Sequence, residues 1–210
     1  MKNYTDINIL VDRSGSMQPI AKDMIGGLTT FIQTQRELKQ EANISYYLFD
    51  DQYEVVFENK PLAEVKDSDV TLVPRGWTAL VDSLGKTINA VGERLSKLSE
   101  EEKPNRVLIV TITDGADNRS REFTNSQLKE MVHHQRDVYA WDFVFLGANI
   151  DSFSTGGSIG IYKGSTCNYT ADSAGVTTAF ESLNRNSRAY ATLDRTKDRR
   201  STFEFTELSK

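Results

Sequence analysis

Residues 9–18 read ILVDRSGSMQ, a hydrophobic run that stops on Asp12, Ser14 and Ser16. Positions 7–11 are apolar apart from Asn8, which predicts a short strand buried on both faces. Its polar ending is the feature that needs explaining. Oxygen-bearing side chains stand at every second position around Gly15. A turn or a helix cap requires one well-placed oxygen; three in alternate register also suit a set of ligands pointing to one side.

Outward from this stretch, short β-rich runs alternate with amphipathic helices. Over residues 19–38, Ile20, Met24, Leu28, Phe31 and Ile32 recur at spacings of three and four, and Pro19 suits the first helical turn. Strands are predicted at 44–49 and 53–57, joined by Asp50-Asp51-Gln52, so this pair reads as a hairpin and the third strand as antiparallel. Leu80, Leu84, Ile88, Val91, Leu95 and Leu98 mark a second helix. Residues 107–113 form the most β-branched run and the expected central strand. A helix over 125–137, a strand over 141–146, a Gly-rich helix near 153–159, a weak strand near 165–169 and a helix near 174–184 complete the order. Such alternation specifies an α/β domain around a mostly parallel sheet.

In open α/β sheets, ligands collect beyond the carboxyl ends of the strands where strand order reverses. Two strands end in an acid followed by turn chemistry: Asp12 with Ser14-Gly15-Ser16, and Asp114 with Gly115. If the order reverses between them, both flank the crevice. With Gly15 letting the backbone curl, Asp12, Ser14 and Ser16 can all point inward and form an all-oxygen site for a hard cation such as Mg²⁺ or Ca²⁺. Gly76-Trp77-Thr78, just before the second helix, supplies a further hydroxyl. Each piece has a plainer reading. Ser14, Ser16 or Thr78 could be an N-cap, and Asp114-Gly115 an ordinary turn. Together, however, they fall in a fixed order, each at the loop end of its element.

The set Asp12-x-Ser14-x-Ser16, Gly76-x-Thr78 and Thr113-Asp114-Gly115 resembles the metal-ion-dependent adhesion site of von Willebrand factor A domains. The resemblance extends to about Tyr190 and is greatest to intracellular single-domain bacterial or phage members. It implies a doubly wound, Rossmann-like, six-stranded sheet, mostly parallel with one antiparallel edge strand and helices on both faces. It further implies that Ser14 and Ser16 ligate the metal directly. Thr78 would do so directly or through water, while Asp12 and Asp114 act from behind these ligands or through water. The metal is expected to be Mg²⁺ or Mn²⁺, with Ca²⁺ less favoured, and a Glu or Asp of a partner protein would complete the site. Arg13, Trp77, Asn118 and Arg119 are the expected rim contacts for that partner; Trp77 could equally be a packing residue of its loop.

A net charge of −5 and a pI near 5.2 argue against a nucleic-acid footprint. No apolar stretch approaches the ~20 residues needed to span a bilayer, and the first residues lack the apolar core of a signal peptide; the expected location is cytoplasmic. Cys167 is the single cysteine and reads as a small buried apolar residue. As alternatives to a binding module stand a metal-dependent hydrolase or phosphoryl-transfer enzyme and a purely structural domain with an unoccupied loop. Against the enzyme, His133 and His134 are the only imidazoles and fall on a predicted helix away from the loops. Gly85-Lys86-Thr87 fails as a phosphate loop because Leu80 stands where the motif needs glycine. The expected division is a domain over 1–190 and a tail over 191–210, in which STFEFT at 201–206 could form an extra edge strand or a docking segment.

Overall fold

The computed structural model describes residues 2–38, 40–192 and 203–205. Six strands form one sheet: β1 (Lys2–Asp12), β2 (Glu41–Phe49), β3 (Tyr53–Pro61), β4 (Pro104–Thr113), β5 (Asp142–Ala148) and β6 (Thr166–Tyr169). Their order is β3-β2-β1-β4-β5-β6, and every pairing is parallel except β2 with β3. The hairpin and the antiparallel edge expected from Asp50-Asp51-Gln52 are therefore present. So is the reversal of strand order, which falls between β1 and β4: β1 leads to β2 on one side and has β4 on the other, with Val11 opposite Ile112.

Five helices cover the two faces: α1 (Ala21–Glu37), α2 (Leu80–Ser96), α3 (Asn125–Tyr139), α4 (Ser152–Ser158) and α5 (Ser173–Thr192). The period of two along β1 sends Ile7, Ile9 and Val11 into the core shared with Met24, Leu28 and Phe31 of α1 and Phe180 and Leu183 of α5. Leu10 faces the opposite core, with Leu84, Ile88 and Val91 of α2 and Leu128 and Val132 of α3. Both faces of the central strands are buried, as a continuous apolar run predicts. Cys167 lies in the first core, where burial pushes its thiol up to about 12. No helix among the described residues is long and apolar enough to cross a membrane.

Three details differ from expectation. Pro19 sits in a 3₁₀ turn, Gly15–Ile20, that precedes α1, where its missing N–H is equally harmless. The last helix runs on to Thr192 because polar residues continue its buried face: Asn186 Nδ2 donates to the Ser182 carbonyl at 2.8 Å, and Gln35 of α1 donates to Ser187 Oγ at 2.9 Å. Asn8 is not a break in an apolar run but part of a buried polar row. Its carboxamide and Asp6 both face Arg94 of α2, with Arg94 Nη2 2.9 Å from Asp6 Oδ2 and 3.3 Å from Asn8 Oδ1. Half of the 201–206 stretch, residues 201, 202 and 206, lies outside the described residues. Within it, Phe203 is buried against Tyr190, with ring centroids 5.6 Å apart, and the Phe205 amide donates to the Gly164 carbonyl at 2.7 Å.

Burial holds the Asp6 carboxyl above its ordinary range even with Arg94 beside it. Removing one member of a buried ion pair strands the other, at a cost of about 3 kcal/mol or more. Arg94→Met is therefore expected to lower unfolding stability by about that much in urea titrations, and Asp6→Leu added to it to recover most of the loss. A neutral single variant would show that the pair does not hold α2 to β1.

Candidate metal centre

The carboxyl ends of β1 and β4 bring Asp12 and Asp114 into one knot at the reversal point. Asp12 is wholly buried. Its Oδ1 accepts the Ser14 amide at 2.6 Å and its Oδ2 accepts the Thr113 hydroxyl at 2.6 Å. Ser14 Oγ and Ser16 Oγ lie 3.0 Å apart, and Ser16 Oγ donates to Asp114 Oδ1 at 2.7 Å. Thr78 comes from the third loop. A Cβ built on Gly115 would stand 3.8 Å from Thr78 Oγ1 and 3.9 Å from Ser16 Oγ, so the two hydroxyls converge over that glycine. The remaining carboxylate oxygen, Asp114 Oδ2, is buried and has no hydrogen-bond partner.

None of these hydroxyls caps a helix. Ser14 precedes the 3₁₀ turn without a side-chain cap bond, α1 begins after Ile20, and α2 begins after Ala79 with no cap bond either. Structural work is done by other groups. The Gly15 amide reaches the Gly76 carbonyl at 3.3 Å, the Arg75 amide reaches the Arg13 carbonyl at 2.6 Å, and the Ala79 amide reaches the Asp50 carbonyl at 2.9 Å. Gly76 adopts φ +70°, and a Cβ there would fall 2.3 Å from Asp51 Oδ1. Only glycine fits that close approach.

The five expected ligands are thus together, but the expected rim is not uniform. Arg13 is a correction: it is only 6% exposed and belongs to the framework rather than the rim. At the end of β1 the strand's alternation turns Asp12 one way and Arg13 the other. There its Nε contacts Asp50 Oδ2 at 3.1 Å and its Nη1 pairs with Glu54. Asn118 also works within the framework. Its Oδ1 accepts the Thr78 amide at 3.0 Å and its own amide donates to the Thr78 carbonyl at 2.9 Å, clasping the second loop to the third. Trp77 is 61% exposed, so it is not a packing residue of its loop. Arg119 is exposed. His133 and His134 lie on α3 as expected.

Several supporting residues hold the set in place, and motif spacing pointed to Thr113 among them but not to Asp117 or Asp50. Thr113 holds Asp12 and, through its main-chain carbonyl, accepts the Tyr169 hydroxyl at 3.1 Å. Asp117 caps the first turn of α2 through the Val81 amide at 2.8 Å. Asp50, buried, is shared between Arg13 and Arg75. Thr113 had a usable signal, since a strand-final threonine on β4 faces the same side as Asp12 across the pairing.

The electrostatics of the knot are unusual. Burial pushes the Asp12 carboxyl up to about 6, against the Thr113 and Ser14 hydrogen bonds that lower it, and the nearby Asp114 adds to the rise. Burial likewise raises Asp114. Among the described residues no cluster of three or more His, Cys, Asp or Glu could hold a metal, so any cation here must rely on hydroxyl oxygens. Two carboxylates, one with an unpartnered buried oxygen, and three hydroxyls, two of them within 4 Å of a Cβ built on Gly115, suit a hard cation.

No protein-family model matches the sequence, and no curated protein matches it either. Solved structures do. Proximal thread matrix protein 1 from the mussel byssus, with a zinc-occupied MIDAS motif, is 16% identical over 89% of this chain and 46% of that one, with a TM-score of 0.61. A von Willebrand factor type A protein from Catenulispora acidiphila is 15% identical over 90% and 43%, with a TM-score of 0.62. The manganese-loaded TRAP protein of Plasmodium vivax is 17% identical over 85% and 73%, with a TM-score of 0.59. The chain spans less than half the length of the first two. At these identities the likeness shows the fold, which is that of a von Willebrand factor A domain.

Two outcomes follow from the geometry. In EDTA, a carboxyl whose pKa is raised from about 4 to about 6 stabilises the fold fully below the lower value and loses that contribution as pH rises through the higher. Thermal melts from pH 4 to 7 should show this fall, and Asp12→Asn should flatten it; equal slopes would refute the assignment. Asn118→Ala removes the acceptor for the Thr78 amide and should lower stability by about 1 kcal/mol in urea titrations.

Proposed function

We propose that this domain is a metal-dependent protein-binding module. Ser14, Ser16 and Thr78 hold Mg²⁺ or Mn²⁺, Asp12 and Asp114 support it from behind or through water, and a Glu or Asp of a partner protein completes the coordination. The observation that carries this reading is Asp114 Oδ2, a buried carboxylate oxygen with no partner, beside hydroxyls that converge on Gly115 without serving any cap. Leaving such an oxygen without a hydrogen bond or counter-charge is costly, and a cation removes that cost.

When bound, the metal supplies a Lewis-acid centre that attracts an outside anionic oxygen. The chain's residues do the rest. Asp12 fixes the turn through the Ser14 amide, which orients Ser14 and Ser16. Thr113 holds the far side of Asp12. Asn118 sets the position of Thr78, and Trp77 stands exposed beside it. Mostly neutral hydroxyl ligands leave a hard cation able to take a further charged oxygen. The zinc and manganese in two proteins of the same fold support a divalent cation at this place.

Mg²⁺ or Mn²⁺ should raise the melting temperature, with a shift that grows with metal concentration as linkage requires. Asp12→Ala and Ser14→Ala should abolish the shift, while Arg94→Met, remote from the site, should keep it despite its lower baseline. A metal-independent melting temperature in the parent protein would overturn the reading.

A further inference from the structure

Beside the three loops lies an open cleft of about 220 Å³ whose lining includes Tyr53, Ala79, Asp82, Lys86, Arg119 and Arg121. It adjoins the candidate centre directly. Ala79 follows Thr78, and Arg119 follows Asn118, whose main chain and side chain both bond Thr78. The charges around it are unevenly satisfied. Asp82 accepts three main-chain amides, from Arg121, Glu122 and Phe123, at 2.7–2.9 Å. Asp117 is taken by the amides of Val81, Arg119 and Ser120, and Glu122 by Lys86 at 2.6 Å. Asp51 accepts the Trp77 amide at 3.4 Å. By contrast, the guanidinium groups of Arg119 and Arg121 are exposed and make no ion pair or hydrogen bond among the described residues. The cleft lining thus carries three acids and three bases, of which Lys86 is paired with Glu122, while the Arg119 and Arg121 guanidiniums have no partner among the described residues.

Resting on the metal-dependent reading of the centre, we infer that the partner segment is acidic at two points: one carboxylate for the cation, and a second Asp or Glu that pairs with the exposed guanidiniums of Arg119 and Arg121. Guanidinium forks match carboxylates in bidentate geometry. The two points belong to one segment, because Arg119 follows Asn118, which bonds the main chain of Thr78 on both sides. The first partner carboxylate would take the cation's open place, so a second partner charge would find its attraction at the arginines. Such exposed pairs contribute modestly to affinity and more to the choice of partner and the rate of encounter.

The test pans a display library of random cyclic peptides on the immobilised chain in Mg²⁺ and elutes with EDTA. Eluted peptides should carry a pair of acids. In a synthetic peptide, Asn or Gln at the second acid should weaken binding about two- to fivefold, less at high salt. Arg119→Gln with Arg121→Gln should remove the preference for the second acid while the Mg²⁺-induced melting shift persists, which also shows that the variant is folded. EDTA-eluted peptides with a single acid, or an undiminished preference in the double variant, would overturn this inference alone. No EDTA-eluted peptide at all would overturn it together with the partner half of the metal reading; loss of the Mg²⁺ shift in the parent chain would remove the metal half.

Discussion

Two carboxylates, Asp12 and Asp114, stand at the ends of neighbouring parallel strands where the order of the sheet reverses, and among the described residues neither has a basic side chain to neutralise it. Arg13, the cation closest in sequence, is turned away to Asp50 and Glu54. What meets Asp12 instead is an amide and a hydroxyl; what meets Asp114 is one hydroxyl, with its second oxygen unpartnered. A buried carboxylate without a counter-charge raises its own pKa before anything else happens, and both do so. The rest of the architecture is arranged around keeping this charge in place: a parallel strand pair to aim it, glycine on either side to let loops approach, and a ring of main-chain hydrogen bonds to fix the loops.

Much of the fold was legible because burial on both faces leaves a plain pattern. The apolar run of β1, the β-branched β4 and the leucine stripe of α2 name their positions with little ambiguity. The places where the sequence misled are those where a polar residue does a core residue's work. Asn8 reads as an interruption, yet it belongs with Asp6 to a buried row answered by Arg94, eighty-odd positions away. The last helix reads as ending near residue 184, since Asn186 and Ser187 look exposed in any hydropathy pattern. Both are buried, one satisfied by its own helix and the other by Gln35 of α1. Hydropathy sees the residue type; the partner that makes burial tolerable is far along the chain.

The candidate site divides along the same line. Its oxygen set was readable because alternate positions in one loop, and one residue at each of two other loop ends, carry a spacing. Most of its supports were not. Asp117 and Asp50, and the way Asn118 clasps Thr78, act through bonds to amides or charges in other loops, and such bonds impose no repeat on the sequence. Arg13 illustrates the converse. Adjacency along the chain suggested a rim residue, whereas alternation at a strand's end places neighbours on opposite sides.

That division bears on how a binding site remains available. In most loops, serine and threonine hydroxyls are spent on caps and turns, because an exposed loop must satisfy its own backbone. Here the backbone is satisfied otherwise: Gly15 by Gly76, Arg75 by Arg13, Ala79 by Asp50, and Thr78 by both arms of Asn118. Thr78 makes its hydrogen bonds through its main chain, and Ser16 bonds only to Ser14 and Asp114, its fellow members of the set. The hydroxyls are therefore positioned by the fold without being consumed by it. A loop that needed Ser14 or Thr78 as a cap would lose its shape whenever an outside ligand claimed the oxygen. This one keeps its shape through main-chain bonds and Asn118, so a ligand taken up at the hydroxyls, as proposed, would not compete with folding at the loops.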